Sequence, residues 1–202
     1  MKKATTKEII IKKATDLFYK HGVVKASIRD IVRSVGVTNS TVYFHFKNKD
    51  EILYCIIEDI GSVLLKNLRA ASQKYQDPVD CLREMIFKQV CLTKEKRKEL
   101  KIYMEEQYQL QTALRNKAIL QHRQLYDIYY NKICEILDKG LGRQIDKTVM
   151  TFGIIAMVNW AYRWFIDNGR LSIEDVAEHI THVFFSGILK DGVLTKPSHS
   201  IK

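Results

Sequence analysis

Residues 27–46, SIRDIVRSVGVTNSTVYFHF, decide how the rest of the chain is read. Ser27 is placed to cap a helix, because its hydroxyl can accept from a backbone N–H that the first turn leaves unpaired. Ile28, Ile31, Val32 and Val35 then recur at helical spacing and supply one apolar face. Gly36 can take the left-handed conformation that stops a helix, and Val37 tucks back toward the core. Thr38 is the next capping residue, followed by Asn39, Ser40, Thr41, Val42, Tyr43, Phe44, His45 and Phe46. The second helix is too short, and too polar at its start, to be a core element. Its hydroxyls, amide, phenol and imidazole are the groups that hydrogen-bond base edges and phosphates. The pattern is a helix-turn-helix, and it implies binding to DNA.

The charge distribution agrees. The chain holds 33 Lys and Arg against 23 Asp and Glu, a net charge of +10 over 202 residues. Residues 1–50 contain eleven of the bases and only Glu8, Asp16, Asp30 and Asp50 as acids, so +7 of the +10 sits there. A basic end joined to a nearly neutral body suggests one segment that meets phosphate and another with a different task.

Two prolines, Pro78 and Pro197, and few glycines leave long stretches without breakers, which predicts an all-α protein. Lys12 and Lys13 interrupt the first apolar run, so it does not read as a signal peptide. The longest uncharged apolar segment, residues 148–162, is shorter than the ~20 residues a spanning helix needs. Cys55, Cys81, Cys91 and Cys134 show no CxxC pair and read as buried small hydrophobes in a reducing compartment. The expected location is the cytoplasm, with no membrane partner.

Along the chain, a first helix is predicted from about Thr6 to Tyr19, with Ile10, Ala14, Leu17 and Phe18 on one face. Asn48 should cap a long fourth helix from the region of Asp50 and Glu51 to about Tyr75, and Lys49 there could hold a DNA phosphate. Asp77-Pro78 starts the next helix. A charged segment, 94–101, separates it from Ile102, Tyr103, Met104, Tyr108 and Leu110. Further helices are expected over about 114–137, over 146–166, and after Ser172, where Ser172-x-x-Asp175 has the form of a capping box. Residues 196–202 read as a frayed tail. The helices number nine.

This sequence resembles the TetR family of bacterial transcriptional regulators along its whole length. The resemblance rests on residues 8–54: Ala14, Leu17-Phe18, Gly22, Ile31, Gly36, Val37, Thr41-Val42-Tyr43-x-His45-Phe46, Lys49 and Leu53. It implies a homodimer of nine-helix protomers, with a helix-turn-helix DNA-binding domain over 1–48 and a ligand-binding and dimerisation domain over 49–195. A second resemblance, through Asn159-Trp160-Ala161-Tyr162-Arg163-Trp164-Phe165, Gly169-Arg170-Leu171-Ser172 and Val176-Ala177, is to TetR-type regulators of fatty-acid and acyl-CoA degradation, which leave DNA when a thioester binds. The departure is the lack of a proline near Asp167.

The family's docking implies that Asn39, Ser40 and Thr41 reach base edges from the N-terminal end of the recognition helix. Tyr43, His45 and Lys49 would meet phosphates, with Thr38 and Ser27 contributing from helix N-termini. Phe44 and Phe46 are assigned to packing. Residues 149–166 are apolar nearly all round, so the last two helices are expected to pair with their symmetry mates in an isologous four-helix interface. The competing reading makes that helix the monomer's own core. Aromatics of the body, among them Tyr103, Tyr126, Tyr130, Trp160 and Trp164, could line an effector cavity with Asn159 and Arg163. Arg163 needs an anionic partner, either an effector's carboxylate or phosphate or an acid on another helix. Asn159 could instead satisfy a neighbouring backbone group.

No glycine-rich phosphate loop, nucleophile elbow or HExxH occurs, so nothing suggests an enzyme. His179 and His182 lack a third ligand, and neither a metal nor a cofactor is expected beyond a small effector. The alternatives are a regulator answering drug-like hydrophobes, a nonspecific architectural DNA binder and a scaffold protein.

Overall fold

A computed structural model describes residues 4–193 of the chain. The expected frayed tail, residues 194–195 of the second domain, and Lys2 and Lys3 lie outside them. The described residues form eight α-helices: α1 (Thr6–His21), α2 (Ile28–Val35), α3 (Asn39–His45), α4 (Lys49–Lys74), α5 (Pro78–Glu105), α6 (Thr112–Asp138), α7 (Lys147–Trp164) and α8 (Ile173–Ile188), with one 3₁₀ turn, Gln107–Gln109. The sequence predicts nine. The difference lies in α5, which is two helices joined across a kink at Lys96, where φ −124° and ψ 26° are non-helical, inside the charged segment where the sequence places a break.

Local side-chain chemistry sets most helix starts. Thr5 with Glu8, Ser27 with Asp30 and Ser172 with Asp175 each form a reciprocal capping box. Asn48 Oδ1 accepts from Glu51 N at 2.9 Å, and Asp77 Oδ1 accepts from Val79 N and Asp80 N ahead of α5. Asp146 accepts from Thr148 N and Val149 N and opens α7. Each such cap is worth about 1 kcal/mol, enough to fix where a helix begins.

Two compact units result: the described part of Met1–Val63 with Lys96–His122, and Leu64–Glu95 with the described part of Arg123–Lys202. In the first, α1 packs on α2 and α2 on α3, around Ile10, Ala14, Phe18, Ile31, Val42 and Phe46. Leu17, expected on that face, is half-buried. The core of the second unit includes Leu82, Met85, Ile86, Tyr129, Ile154 and Phe185. There the loop after α6 is tied to the end of α8: Arg143 N donates to the Ile188 carbonyl at 2.7 Å, and the Arg143 side chain bonds the Leu189 carbonyl and Asp191. No helix of the described residues is long and apolar enough to cross a membrane.

Candidate nucleic-acid interface and effector-binding body

The turn between α2 and α3 is built from its glycine outward. Gly36 has φ 77° and ψ 33°, the left-handed region, and its N–H closes α2 by donating to the Val32 carbonyl. At the other end of α2, the Ser27 hydroxyl and backbone N–H both donate to Asp30 Oδ2, at 2.6 and 3.0 Å. Those bonds hold the Asp30 carboxyl below its usual range. Asp30 is therefore a capping partner, and the Ser27 hydroxyl proton is engaged by it.

Thr38 caps α3. Its Oγ1 accepts from Thr41 N at 3.2 Å and lies 2.8 Å from Ser40 Oγ and 2.9 Å from Thr41 Oγ1. Val42 is wholly buried and pins the helix inward. Thr38, Asn39, Ser40, Tyr43 and Phe44 face solvent, while Thr41 and His45 are half-buried. The short rod thus offers one polar flank outward, as a groove-reading helix must.

One expectation for this region is corrected, and Lys49 gains a second role. Residue type assigns both Phe44 and Phe46 to packing, yet Phe44 is 85% exposed, whereas Phe46 is buried with the Lys7 ammonium over its ring. Helix geometry explains the split: Val42 and Phe46 are four residues apart on the inward face, and Phe44, about 200° from each, points away. Lys49, expected to hold a DNA phosphate, also serves the chain itself. Its ammonium donates to the carbonyls of Val23 at 2.7 Å and Ala26 at 2.9 Å, so two of its three protons serve the chain itself. Phe44 joins the outward flank beside Ser40. Phe44→Ala should change the melting temperature little, since an exposed side chain contributes within about 0.5 kcal/mol. It should measurably weaken DNA binding in a titration; a clear loss of stability with unchanged binding would restore the packing role.

The sequence comparisons bear on this geometry. A model of bacterial regulatory proteins of the tetR family matches residues 10–54, and a tetracyclin repressor-like C-terminal domain matches residues 75–188, more than half of the chain. The chain belongs to the TetR family. Membership makes it a DNA-binding transcription regulator rather than an enzyme. TtgR of Pseudomonas putida is 33% identical over 82 residues, a match that covers 40% of this TetR-family chain and only 39% of TtgR. KstR2, a transcriptional repressor of Mycobacterium tuberculosis, is 20% identical over 186 residues, 91% of this chain and 93% of KstR2. Its solved structure superposes with a TM-score of 0.86 at 17% identity over 94% of this chain and 98% of that one, a likeness of fold. The structure of AibR with isovaleryl coenzyme A and operator DNA gives a TM-score of 0.84 at 25% identity, covering 91% of this chain and 100% of that one.

The seven residues expected to line an effector cavity of this TetR-family regulator are divided between the two units. Tyr103 belongs to the first unit, where its ring stacks on His122. The other six belong to the second. Asn159 bonds a side chain: its Oδ1 accepts from Gln89 Nε2 at 2.6 Å, and Gln89 Oε1 accepts from the buried Tyr129 hydroxyl at 2.9 Å. Trp160 and Trp164 are about half exposed, and the Arg163 guanidinium lies 4.9 Å from the centre of the Trp160 ring. They sit on the open side of α7 with Val149 and Phe152, beside Val183 of α8, all between 47% and 63% exposed. Tyr126 stacks on Tyr130 and tilts against Phe152, with the Lys147 ammonium over Tyr130. Where a proline is expected near Asp167, the chain turns through Gly169, whose N–H donates to the Ile166 carbonyl. A groove of about 170 Å³ lies there, bounded by Trp164, Phe165, Ile166, Arg170 and Leu171.

Among the described residues no group of three His, Cys, Asp or Glu side chains could hold a metal ion. The four cysteines are free thiols. Burial, with Glu174 next, pushes the Cys91 thiol up to about 12, and burial also raises Cys55 and Cys81. A thiol held protonated is a poor nucleophile, which argues against a redox sensor at these three sites.

Proposed function

We propose that this chain is a cytoplasmic, ligand-released repressor that grips a palindromic operator as a homodimer, with residues 1–48 reading DNA and 49–195 holding the effector and the dimer contact. The observation that carries the reading is the outward flank of α3, held rigid by Thr38 at its start and Val42 beneath it. Asn39, Ser40 and Thr41 read base edges, while Tyr43, His45, Thr38 and the third proton of Lys49 meet phosphates, and Ser27 joins them by exchanging its hydroxyl bond to Asp30 for one to DNA. The effector is a small hydrophobic anion of the acyl-CoA class. Supporting this is the likeness to AibR, whose complex holds isovaleryl coenzyme A and operator DNA and which the present chain spans from end to end. The effector acts by linkage: it fits better when the two heads are wrongly spaced, and so weakens DNA binding by its differential affinity. The continuous α4, which begins two residues after Lys47 and runs to Lys74, is the lever.

Selection from random duplex DNA tests the reading. The wild-type chain should enrich an inverted repeat with half-sites at least one helical turn apart, and isovaleryl-CoA should release it. Asn39→Ala should relax preference at one base pair of each half-site by roughly 1–3 kcal/mol and leave the others unchanged. Enrichment of no sequence at all would place the chain among nonspecific binders.

A further inference from the structure

Tyr103, near the end of α5, and His122, in α6, stack with 4.2 Å between ring centroids and 7° between planes. Tyr103 is 1% exposed, and its hydroxyl has no hydrogen-bond partner among the described residues. His122 Nε2 is shielded from solvent and equally unpartnered. Next to it in sequence, Gln121 uses its Nε2 on the Glu58 carbonyl at 3.2 Å and Ser62 Oγ at 3.4 Å, leaving its Oε1 as a third orphan. The contrast is with Tyr129, equally buried, whose hydroxyl bonds Gln89. Buried polar atoms are normally paired, because losing water without gaining a partner costs folding free energy. Unpaired atoms of this kind mark a place where a partner arrives from outside.

The pair is also uncharged. Burial depresses the His122 imidazole, down to about 4, and raises the Tyr103 phenol. Near neutral pH both rings are neutral. A carboxylate or phosphate brought here would be buried without a counter-charge, whereas a neutral acceptor would only gain hydrogen bonds.

We propose that Tyr103 and His122 bind the uncharged carbonyl of the effector, a thioester, ester, ketone or amide, with the Tyr103 hydroxyl donating to its oxygen and His122 Nε2 taking a second polar contact. This rests on the reading that the protein answers a small-molecule effector, and it says which part of that molecule is recognised. The same stretch of α5 grips α1: Lys98 Nζ pairs with Asp16 at 2.5 Å, and Lys101 Nζ donates to the Tyr19 carbonyl at 3.4 Å while lying over the Tyr19 ring. Occupancy beside Tyr103 is therefore felt by the helix that packs on α2.

The test uses the full chain and four probes: isovaleryl-CoA, its thioether analogue with CH₂ in place of the carbonyl, 4-methyl-2-pentanone and 4-methylpentanoate. Calorimetry should show the thioester bound about tenfold more tightly than the thioether, the worth of one hydrogen bond, and the ketone preferred to the carboxylate. Tyr103→Phe and His122→Phe keep the stacked rings, and both should lose that discrimination. Without ligand, Tyr103→Phe should melt no lower than wild type, since its hydroxyl has nothing to lose. A lower melting temperature would mean that a resident water completes the hydroxyl and would overturn the proposal. So would discrimination that survives both substitutions, or a wild type that binds none of the four probes or does not tell them apart. Binding of the ketone but of neither CoA compound, lost in Tyr103→Phe, would keep the carbonyl site and remove the acyl-CoA reading. Binding of both CoA compounds equally by all three proteins would do the reverse.

Discussion

A chain carrying Phe152→Asp and Trp160→Asp should sediment as a folded monomer and bind its operator some 10²- to 10⁴-fold more weakly than wild type. The two sides of α7 differ. Met150, Ile154, Val158 and Ala161 are buried and fasten the helix to the core of its own unit. On the other side, Val149, Phe152, Trp160 and Trp164 recur at helical spacing, with the small residues Gly153 and Ala156 exposed between them. A Cβ added at Gly153 would meet only the Phe184 ring edge, at 3.9 Å, so another helix can approach closely there. On the proposed dimer reading this contiguous apolar stripe is the contact surface, and a two-fold axis beside it would make each stripe cover its mate. Carboxylates placed on that stripe would repel across the axis and lose their water on association. The substituted side chains are more than half exposed in the protomer and give up the Tyr126 and Arg163 contacts, so its melting should fall little. The size of the expected effect on DNA comes from avidity: a second head tethered to the first binds at an effective concentration that multiplies affinity by about 10²–10⁴. A variant that stays dimeric in sedimentation would move the interface elsewhere.

What is legible in the sequence is what is decided locally. Ser27, Thr38, Asn48 and Ser172 announce their helices because a capping oxygen bonds an N–H two or three residues on, and no distant partner is needed. Gly36 is legible for the same reason. Features that depend on partners distant in sequence are not. The run 94–101 is highly charged and suggests a break between helices, and the backbone does kink there, at Lys96; what the run does not reveal is that Lys98 and Lys101 find Asp16, Tyr19 and its carbonyl some 82 residues away. Lys49 advertises a phosphate, but its partners are carbonyls 23 and 26 residues earlier. Residue type alone misplaces Phe44, although counting 100° per residue from Val42 turns it outward. For Trp160 and Trp164 the periodicity marks an apolar face without saying whether a ligand, the core or a second copy covers it. His122 carries no signal at all, since only the approach of α6 to α5 makes its ring a partner of Tyr103.

Replacing Lys49 with Met should lower the stability of the protein by roughly 3 kcal/mol in the absence of any DNA, seen as a drop of about 12–24 °C in the melting temperature of the transition that unfolds the first unit. Val23 and Ala26, whose carbonyls the ammonium holds, lie in the segment between α1 and α2, and both are almost completely buried. Lys49 is the first residue of α4, so one side chain ties the entry of α4 to the segment that aims α2. Hydrogen bonds to a charged donor are each worth about 1.5–3 kcal/mol, and their loss leaves two carbonyls that the segment cannot re-pair. Methionine keeps the length and apolar stem of lysine, so the measured change reports the ammonium alone. The third proton is still available to a phosphate, and that role has its own signature: the slope of log affinity against log salt falls by about 0.9 for each phosphate that the protein ceases to neutralise. Stability and slope are therefore independent readouts of two jobs. Unchanged melting with a slope reduced by about one unit would make Lys49 a phosphate ligand and nothing more. A large drop in melting means that this lysine acts on DNA chiefly by fixing where the recognition helix is held.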